Sequence, residues 1–403
     1  MEIIKNGVCA PIGFCASGIH CGIRKNKTKK DLALIVSETE CNAAAVYTTN
    51  LVKGAPLTVT KKHLSNGKAR AVICNSGNAN TCNANGIEIA EEMSALVEEY
   101  TDVKAEDVVV ASTGVIGQPL DITPIKNSMP ALVSGLGNNS ADAVDAIMTT
   151  DTKPKEIALS FKIGGVECRI GGIAKGSGMI HPDMATMLVF ITTDCNISSE
   201  MLQKALSHDI QNTFNMISVD GDTSTNDMVT VLANGMAKNE EITGEGEAFE
   251  QFMCALNSVT VYLCRQIAAD GEGCTKLMEA SVKGAKTLCC AKTVAKSIVC
   301  SSLTKAAMFG SDANWGRVLC AIGYSKADVD VSKIDVSFIS KKGEIEVCKN
   351  GAGVDFSEEK AKEILLEDEI IISVNLNDGE YSSTAYGCDL TYDYVKINGD
   401  YRT

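Results

Sequence analysis

Short segments rich in Val, Ile and Thr recur through the first quarter of the chain, at Asp31 to Ser37, Ala43 to Thr49, Ala71 to Cys74 and Val108 to Ala111, and each predicts a strand. Between them Ile89, Met93, Leu96, Val97 and Tyr100 return at helical spacing, with Glu91, Glu92, Glu98 and Glu99 elsewhere around the turn, which predicts an amphipathic helix. A second helix is expected after Ser199, carrying Leu202, Leu206, Ile210 and Phe214 on one stripe, and further helices over Ala248 to Ala268 and Lys292 to Met308. The last hundred residues return to strands at Ile334 to Ile339, Glu344 to Cys348, Ile370 to Asn375 and Tyr394 to Asn398. Helices and strands are interspersed without the regular alternation of a long parallel sheet, so the expected fold is an α/β sandwich of sheets flanked by helices, with a C-terminal α+β lobe. The core sandwich is expected over roughly residues 1–280 and the lobe over roughly 281–403.

At 403 residues and 45% hydrophobic content the chain can build a large core unaided. Its apolar runs, such as Met187 to Ile191, fall far short of the ~18 residues that cross a bilayer, and the N-terminus reads as no secretion signal. Asp and Glu outnumber Lys and Arg by 51 to 37, a balance that opposes nucleic acid and anionic membranes. The seventeen cysteines are odd in number and contain no Cys-x-x-Cys, so most of them read as small buried side chains of a cytoplasmic protein. Four histidines, with no His-Glu-x-x-His helix, give no metal-ligand pattern, and no metal or cofactor is expected.

The richest stretch runs Lys175-Gly176-Ser177-Gly178-Met179-Ile180-His181-Pro182-Asp183-Met184-Ala185-Thr186, followed by the apolar run. Glycines and a proline make a loop, and the run after Thr186 suits a buried strand. A threonine hydroxyl beside a held carbonyl can attack it and shift the chain from amide to ester, and hydrolysis then frees the threonine amine. An α-amine has a reference pKa of ~7.7–8.0, so near neutrality it can serve as base for its own hydroxyl. By itself this physics permits cleavage without requiring it, and a flexible connection fits the same residues. The loop lacks the spacing of a phosphate-binding turn.

The whole stretch resembles the processing site of the ornithine acetyltransferase family, the glutamate N-acetyltransferases of arginine biosynthesis. Asn75 to Asn80, Ala111 to Gly117, Met148 to Thr152, Ser218 to Asp227 and Gly310 to Arg317 match as well, so the resemblance covers essentially the entire chain. Two departures are Asp183, where the family has Asn, and Thr81 to Ala84. The resemblance implies cleavage between Ala185 and Thr186 into fragments 1–185 and 186–403, with Thr186 the nucleophile of both self-cleavage and acetyl transfer. It implies an oxyanion hole from Thr113 and Gly114, and substrate contacts from Thr152, Lys175, Thr186, Glu272, Asn398 and Thr403. Lys175 could pair with a carboxylate and Glu272 with an ammonium. The implied reaction carries acetyl from N2-acetyl-L-ornithine to L-glutamate by a ping-pong route, with acetyl-CoA a possible second donor, in a particle of two copies of each fragment. The rivals are an aminopeptidase of related fold that discharges its acyl-enzyme to water, and a non-catalytic assembly protein; a hydrolase built on a Gly-x-Ser-x-Gly elbow is disfavoured because that motif is absent. The C-terminal residues 396–403 match too, which implies that this tail folds back over the pocket.

Overall fold

Strand Leu32–Tyr47 joins two segments that the sequence separates. The polar interruption Glu38–Glu40 is solvent-exposed but stays extended, and the register against the neighbouring strand shifts between Val36 and Cys41. A bulge therefore absorbs the break in the apolar pattern without ending the strand. The computed structural model describes residues 1–181 and 187–399, and the expected cleavage bond Ala185–Thr186, together with Asp183 and Thr403, lies outside the described residues.

Among the described residues, nine strands make one mixed sheet. Its order is Glu2–Ile4, Lys155–Ile163, Val166–Lys175, Leu188–Thr193, Met228–Ala233, Leu32–Tyr47, Lys68–Asn78 and Val108–Val115, with Phe14–Ile19 also paired to Leu32–Tyr47. The apolar run after position 186 sits in the middle of this sheet, and it is buried on both faces. Val189 and Ile191 pack with helices Ser199–Asp209 and Glu247–Ala269, while Leu188 and Phe190 pack with helix Ser140–Ile147. A strand covered on both sides has no polar face, which explains the unbroken hydrophobicity. Helices Gly86–Tyr100 and Thr123–Ser134 cover the far end of the sheet through Met93, Leu96, Ile125 and Met129.

Seven further strands form the second sheet, in the order Ala352–Gly353, Gly343–Lys349, Asp335–Ser340, Glu369–Asn375, Leu277–Ala285, Tyr381–Cys388 and Ile217–Ser218. Helix Leu288–Cys300 packs on it through Val294, Ala295 and Ile298. The chain is thus a mixed α/β protein of two sheets flanked by helices. No helix among the described residues is long and apolar enough to cross a membrane.

The helix after Ser199 ends at Asp209, so Ile210 and Phe214 lie beyond it, Phe214 in a short 3-10 helix Phe214–Met216, and two other expected elements differ more. The helix expected over Lys292 to Met308 is broken at Ser301, whose hydroxyl accepts from Thr304 N at 3.2 Å and so starts a new helix, Ser302–Phe309. The strand expected over Tyr394 to Asn398 is part of a helix, Tyr392–Gly399. There the Thr391 hydroxyl accepts from Tyr394 N, and the Asn398 side chain turns back to the Tyr394 carbonyl at 3.1 Å. Local capping outweighs a weak alternation of apolar residues.

Candidate active site

Thr113 and Gly114 end strand Val108–Val115, beside the equivalent end of Lys68–Asn78: Ser76 lies opposite Thr113 and Gly77 opposite Gly114. Gly114 has φ +131°, and a Cβ there would come within 2.6 Å of the Asn78 nitrogen, so this close pairing of backbones demands glycine. Asn226 laces the same corner. Its Nδ2 donates to the carbonyls of Ala79 (2.6 Å) and Ser112 (2.9 Å), and its Oδ1 accepts from Thr81 and Thr225, each at 2.6 Å. Thr81, one of the departures from the family pattern, is therefore used structurally here.

A second network positions Lys175 and Glu272. Lys155 is buried, and its ammonium lies 2.7 Å from Asp151 and 2.5 Å from Asp270. Asp151 also accepts from Gly176 N (2.7 Å) and Thr149 N (2.9 Å), which fixes the turn after Lys175 and the start of the Thr149–Thr150 wall. Asp270 accepts from the backbone of Thr152 and Lys153 and from the Thr152 hydroxyl. The Ser177 hydroxyl donates to the Asp270 carbonyl, and Glu272 N donates to the Ser177 carbonyl. Gly178 sits directly under the Glu272 carboxylate, where any Cβ would collide with it. From above, Asn398 donates its amide to Glu272 at 2.7 Å.

These two networks close around a cavity of about 360 Å³. Thr113, Gly114, Lys175, Glu272 and Asn398 all line it, with Thr149, Thr150, Met179 and Asn226. Thr152 does not: it is exposed, and Asp270 occupies its hydroxyl and its N–H. Ala185, Thr186 and Thr403 lie outside the described residues. The chain resumes next to this cavity, since the Met187 carbonyl accepts from Met228 N and Leu188 pairs with Met228 on one side and Lys175 on the other.

The electrostatics are uneven. Lys175 is largely buried, faces the cavity and has no ion-pair partner among the described residues. Burial pushes the Asp151 carboxyl upward, but Lys155, Lys175 and hydrogen bonds outweigh it and hold it well below the usual carboxylate range. Asp227 follows Asn226 and is fully buried, with one oxygen that has no partner among the described residues, and burial raises it far above that range, against weaker pulls from Ser224 and Lys175. No group of three or more His, Cys, Asp or Glu among the described residues could hold a metal ion. Asn226, Asp151, Asp270 and Asp227 were given no role by sequence reasoning. Their signal was their place inside the matching segments Met148 to Thr152 and Ser218 to Asp227, or, for Asp270, a charged residue ending a long apolar helix.

Comparison with known proteins places this architecture. The ArgJ family matches residues 15–403. The arginine biosynthesis bifunctional protein ArgJ 1 of Clostridium acetobutylicum is 50% identical over 392 residues, covering 97% of this chain and 96% of its own. The arginine biosynthesis bifunctional protein ArgJ of Caldanaerobacter subterraneus subsp. tengcongensis is 50% identical over 405 residues, covering 100% of both chains. Among solved structures, a chain of the arginine biosynthesis bifunctional protein argJ from Bacillus halodurans aligns with a TM-score of 0.50 at 50% identity, over 53% of this chain and 98% of that one. With its motifs gathered around one cavity and its full length matched, this chain belongs to the ArgJ family.

Proposed function

We propose that the chain is a self-processing acetyltransferase of arginine biosynthesis, which moves acetyl from N2-acetylornithine to glutamate through Thr186. The observation that carries this reading is the convergence of Thr113, Gly114, Lys175 and the Glu272–Asn398 pair on one cavity, at the point where the chain resumes with Met187, the residue bonded to Thr186. The size of the solved Bacillus halodurans chain adds support. It is matched almost whole by 53% of this chain, and the fragment 186–403 would be about 54% of it.

In the proposed scheme the Thr186 hydroxyl attacks the Ala185 carbonyl, and hydrolysis of the ester leaves fragments 1–185 and 186–403. The freed amine then takes the hydroxyl proton as Thr186 attacks the acetyl carbonyl of acetylornithine. The Thr113 hydroxyl and the Gly114 N–H stabilise the oxyanion, a C–O bond forms, the C–N bond breaks, and ornithine leaves with the proton. Glutamate's amine attacks the acetyl ester in turn and regenerates the hydroxyl. Lys175 holds the substrate α-carboxylate, and Glu272, aligned by Asn398, holds the ornithine ammonium. Thr403 acts from the tail, and Thr152 acts through Asp270, which accepts from its hydroxyl and its N–H. No metal or cofactor enters the scheme.

Fragments cut at this bond stay together because their strands share one sheet: Val166–Lys175 pairs with Leu188–Thr193, and Leu32–Tyr47 with Met228–Ala233. Two copies of each make the proposed particle, working in a reducing cytoplasm that suits seventeen free cysteines. The test is transfer itself. Acetylornithine and glutamate should yield equimolar ornithine and acetylglutamate, and labelled ornithine should exchange into acetylornithine without glutamate. Acetate as the sole acyl product would instead establish the hydrolase.

A further inference from the structure

Helix Tyr392–Gly399 carries Asn398 to the cavity, yet none of its residues is buried. A helix of eight residues is too short to persist in water unaided, so this one depends on its contacts. At its start the Thr391 hydroxyl donates to the Gly273 carbonyl at 2.6 Å and accepts from Tyr394 N, and the Tyr392 ring meets Phe309 edge-on with centroids 5.8 Å apart. Two further bonds reach the cavity rim: Asn398 donates to Glu272 at 2.7 Å, and the Tyr394 hydroxyl donates to Asp220 at 3.3 Å.

These two rim bonds are not equivalent. Glu272 lines the cavity and is the group proposed to take the ornithine ammonium, so a bound substrate draws on the same carboxylate as Asn398. Among the described residues lining the cavity are Glu272 and Met179, not Asp220, whose bond to Tyr394 is left to the helix alone. The same carboxylate fixes the wall. Its Oδ2 accepts from Met179 N at 2.6 Å, and its Oδ1 accepts from Ile180 N at 2.9 Å and Asp222 N at 3.3 Å. Met179 has φ +56°, a left-handed conformation that an L residue seldom adopts, and these bonds stabilise it. Backbone and phenol donors thus converge on two oxygens, which a carboxylate can accept and a carboxamide, with one oxygen and an NH2 group, cannot. Burial, and then the Asp220 and Glu272 carboxylates, push the Tyr394 phenol above its ordinary range, which keeps it a donor.

We propose that Asp220 is a positioning residue for acetyl transfer: through Tyr394 it keeps helix Tyr392–Gly399 docked at the cavity while substrate competes with Asn398 for Glu272, and through Met179 it fixes the adjoining wall. This rests on the proposed acetyl-enzyme and on the proposed use of Glu272. A docked helix keeps water from the acetyl ester, so loosening it should favour hydrolysis over transfer to glutamate.

The test is Tyr394→Phe, which removes one hydroxyl and keeps the ring. With acetylornithine and glutamate, KM for acetylornithine should rise ~10-fold, as expected for a lost hydrogen bond to a charged group, while kcat falls no more than ~2-fold. Acetate formed per acetylglutamate should rise, and hydrogen exchange should quicken at the amides of residues 396–399 but not in strand Leu188–Thr193. Asp220→Ala should show the same changes more strongly, and adding Tyr394→Phe to it should alter KM and acetate yield by less than ~2-fold, because the two residues share one bond. Should Asp220→Ala not fold, the Tyr394→Phe result decides alone. Unchanged KM and acetate yield in Tyr394→Phe, or effects that multiply in the double variant, would overturn the proposal and leave the acetyltransferase reading intact. Wild-type protein that transfers no acetyl from acetylornithine would bring down both.

Discussion

Replacing Lys155 with Met should be among the most damaging changes outside the cavity lining. The ammonium lies between two carboxylates whose side chains are 0% and 3% exposed, at 2.7 and 2.5 Å. Removing one partner of a buried ion pair costs ~3–5 kcal/mol, because an uncompensated charge is left behind. Here two carboxylates lose the same cation, which puts the expected loss near ~5 kcal/mol, and their remaining backbone donors at Gly176, Thr149, Thr152 and Lys153 keep it from rising further. The assay is urea unfolding followed by circular dichroism at pH 7.5. The triple variant Asp151→Asn/Lys155→Met/Asp270→Asn carries no buried charge at these three positions and should recover most of the loss. The pH dependence has a definite sign. In the wild type Asp151 sits below its ordinary range, so its stabilisation is present above pH ~4 and fades as pH falls through the lower folded value. Without Lys155 burial pushes the same carboxyl upward, so it penalises the fold at neutral pH and ceases to do so once protonated. The gap between Lys155→Met and wild type should therefore start to narrow as pH falls from neutrality toward ~4 and go on narrowing below it. A loss under ~1 kcal/mol at pH 7.5, or a gap that does not close in acid, would refute the reasoning.

Three further outcomes follow from the cavity. Thr113→Ala should lower turnover by ~10²–10³ while leaving substrate binding nearly unchanged, and unchanged turnover would remove Thr113 from the mechanism. Gly178→Ala places a methyl on the Glu272 carboxylate at a backbone conformation alanine tolerates, so KM for acetylornithine should rise ~10-fold in a folded enzyme, as expected for a weakened contact to a charged group. Asp227→Asn removes a carboxyl whose folded value is raised by burial. Such a group stabilises fully below pH ~3.9 and loses that contribution as pH rises, so the variant's melting temperature should gain on wild type between pH 4 and 8, and a constant difference would contradict this.

How far the sequence could be read depended on the range of the interaction. The stripe Ile89, Met93, Leu96 and Val97 and the run Leu188–Ile191 encode their burial locally, through period 3.6 in one case and two-sided covering in the other. Glu38–Glu40 misled because a bulge is set by the partner strand, and the tail because a single hydroxyl at Thr391 outweighs alternation. Among site residues, those named by motif and covered by the described residues gather on the cavity, except Thr152, which joins the supporting network instead. That network was invisible locally: Lys155 meets Asp270 across 115 positions, and Asn226 meets Ser112 across 114. No spacing rule reaches that far, and a lone buried aspartate looks in sequence like any surface charge.

The central claim is that one peptide bond is broken by the chain itself to create its nucleophile. Intact mass spectrometry with N-terminal sequencing of the purified protein tests it directly. The account predicts two co-purifying fragments of 185 and about 218 residues, the second beginning at Thr186, and a single uncut, inactive chain for Thr186→Ala. Wild-type protein that remains one 403-residue chain and still transfers acetyl from acetylornithine to glutamate would contradict it.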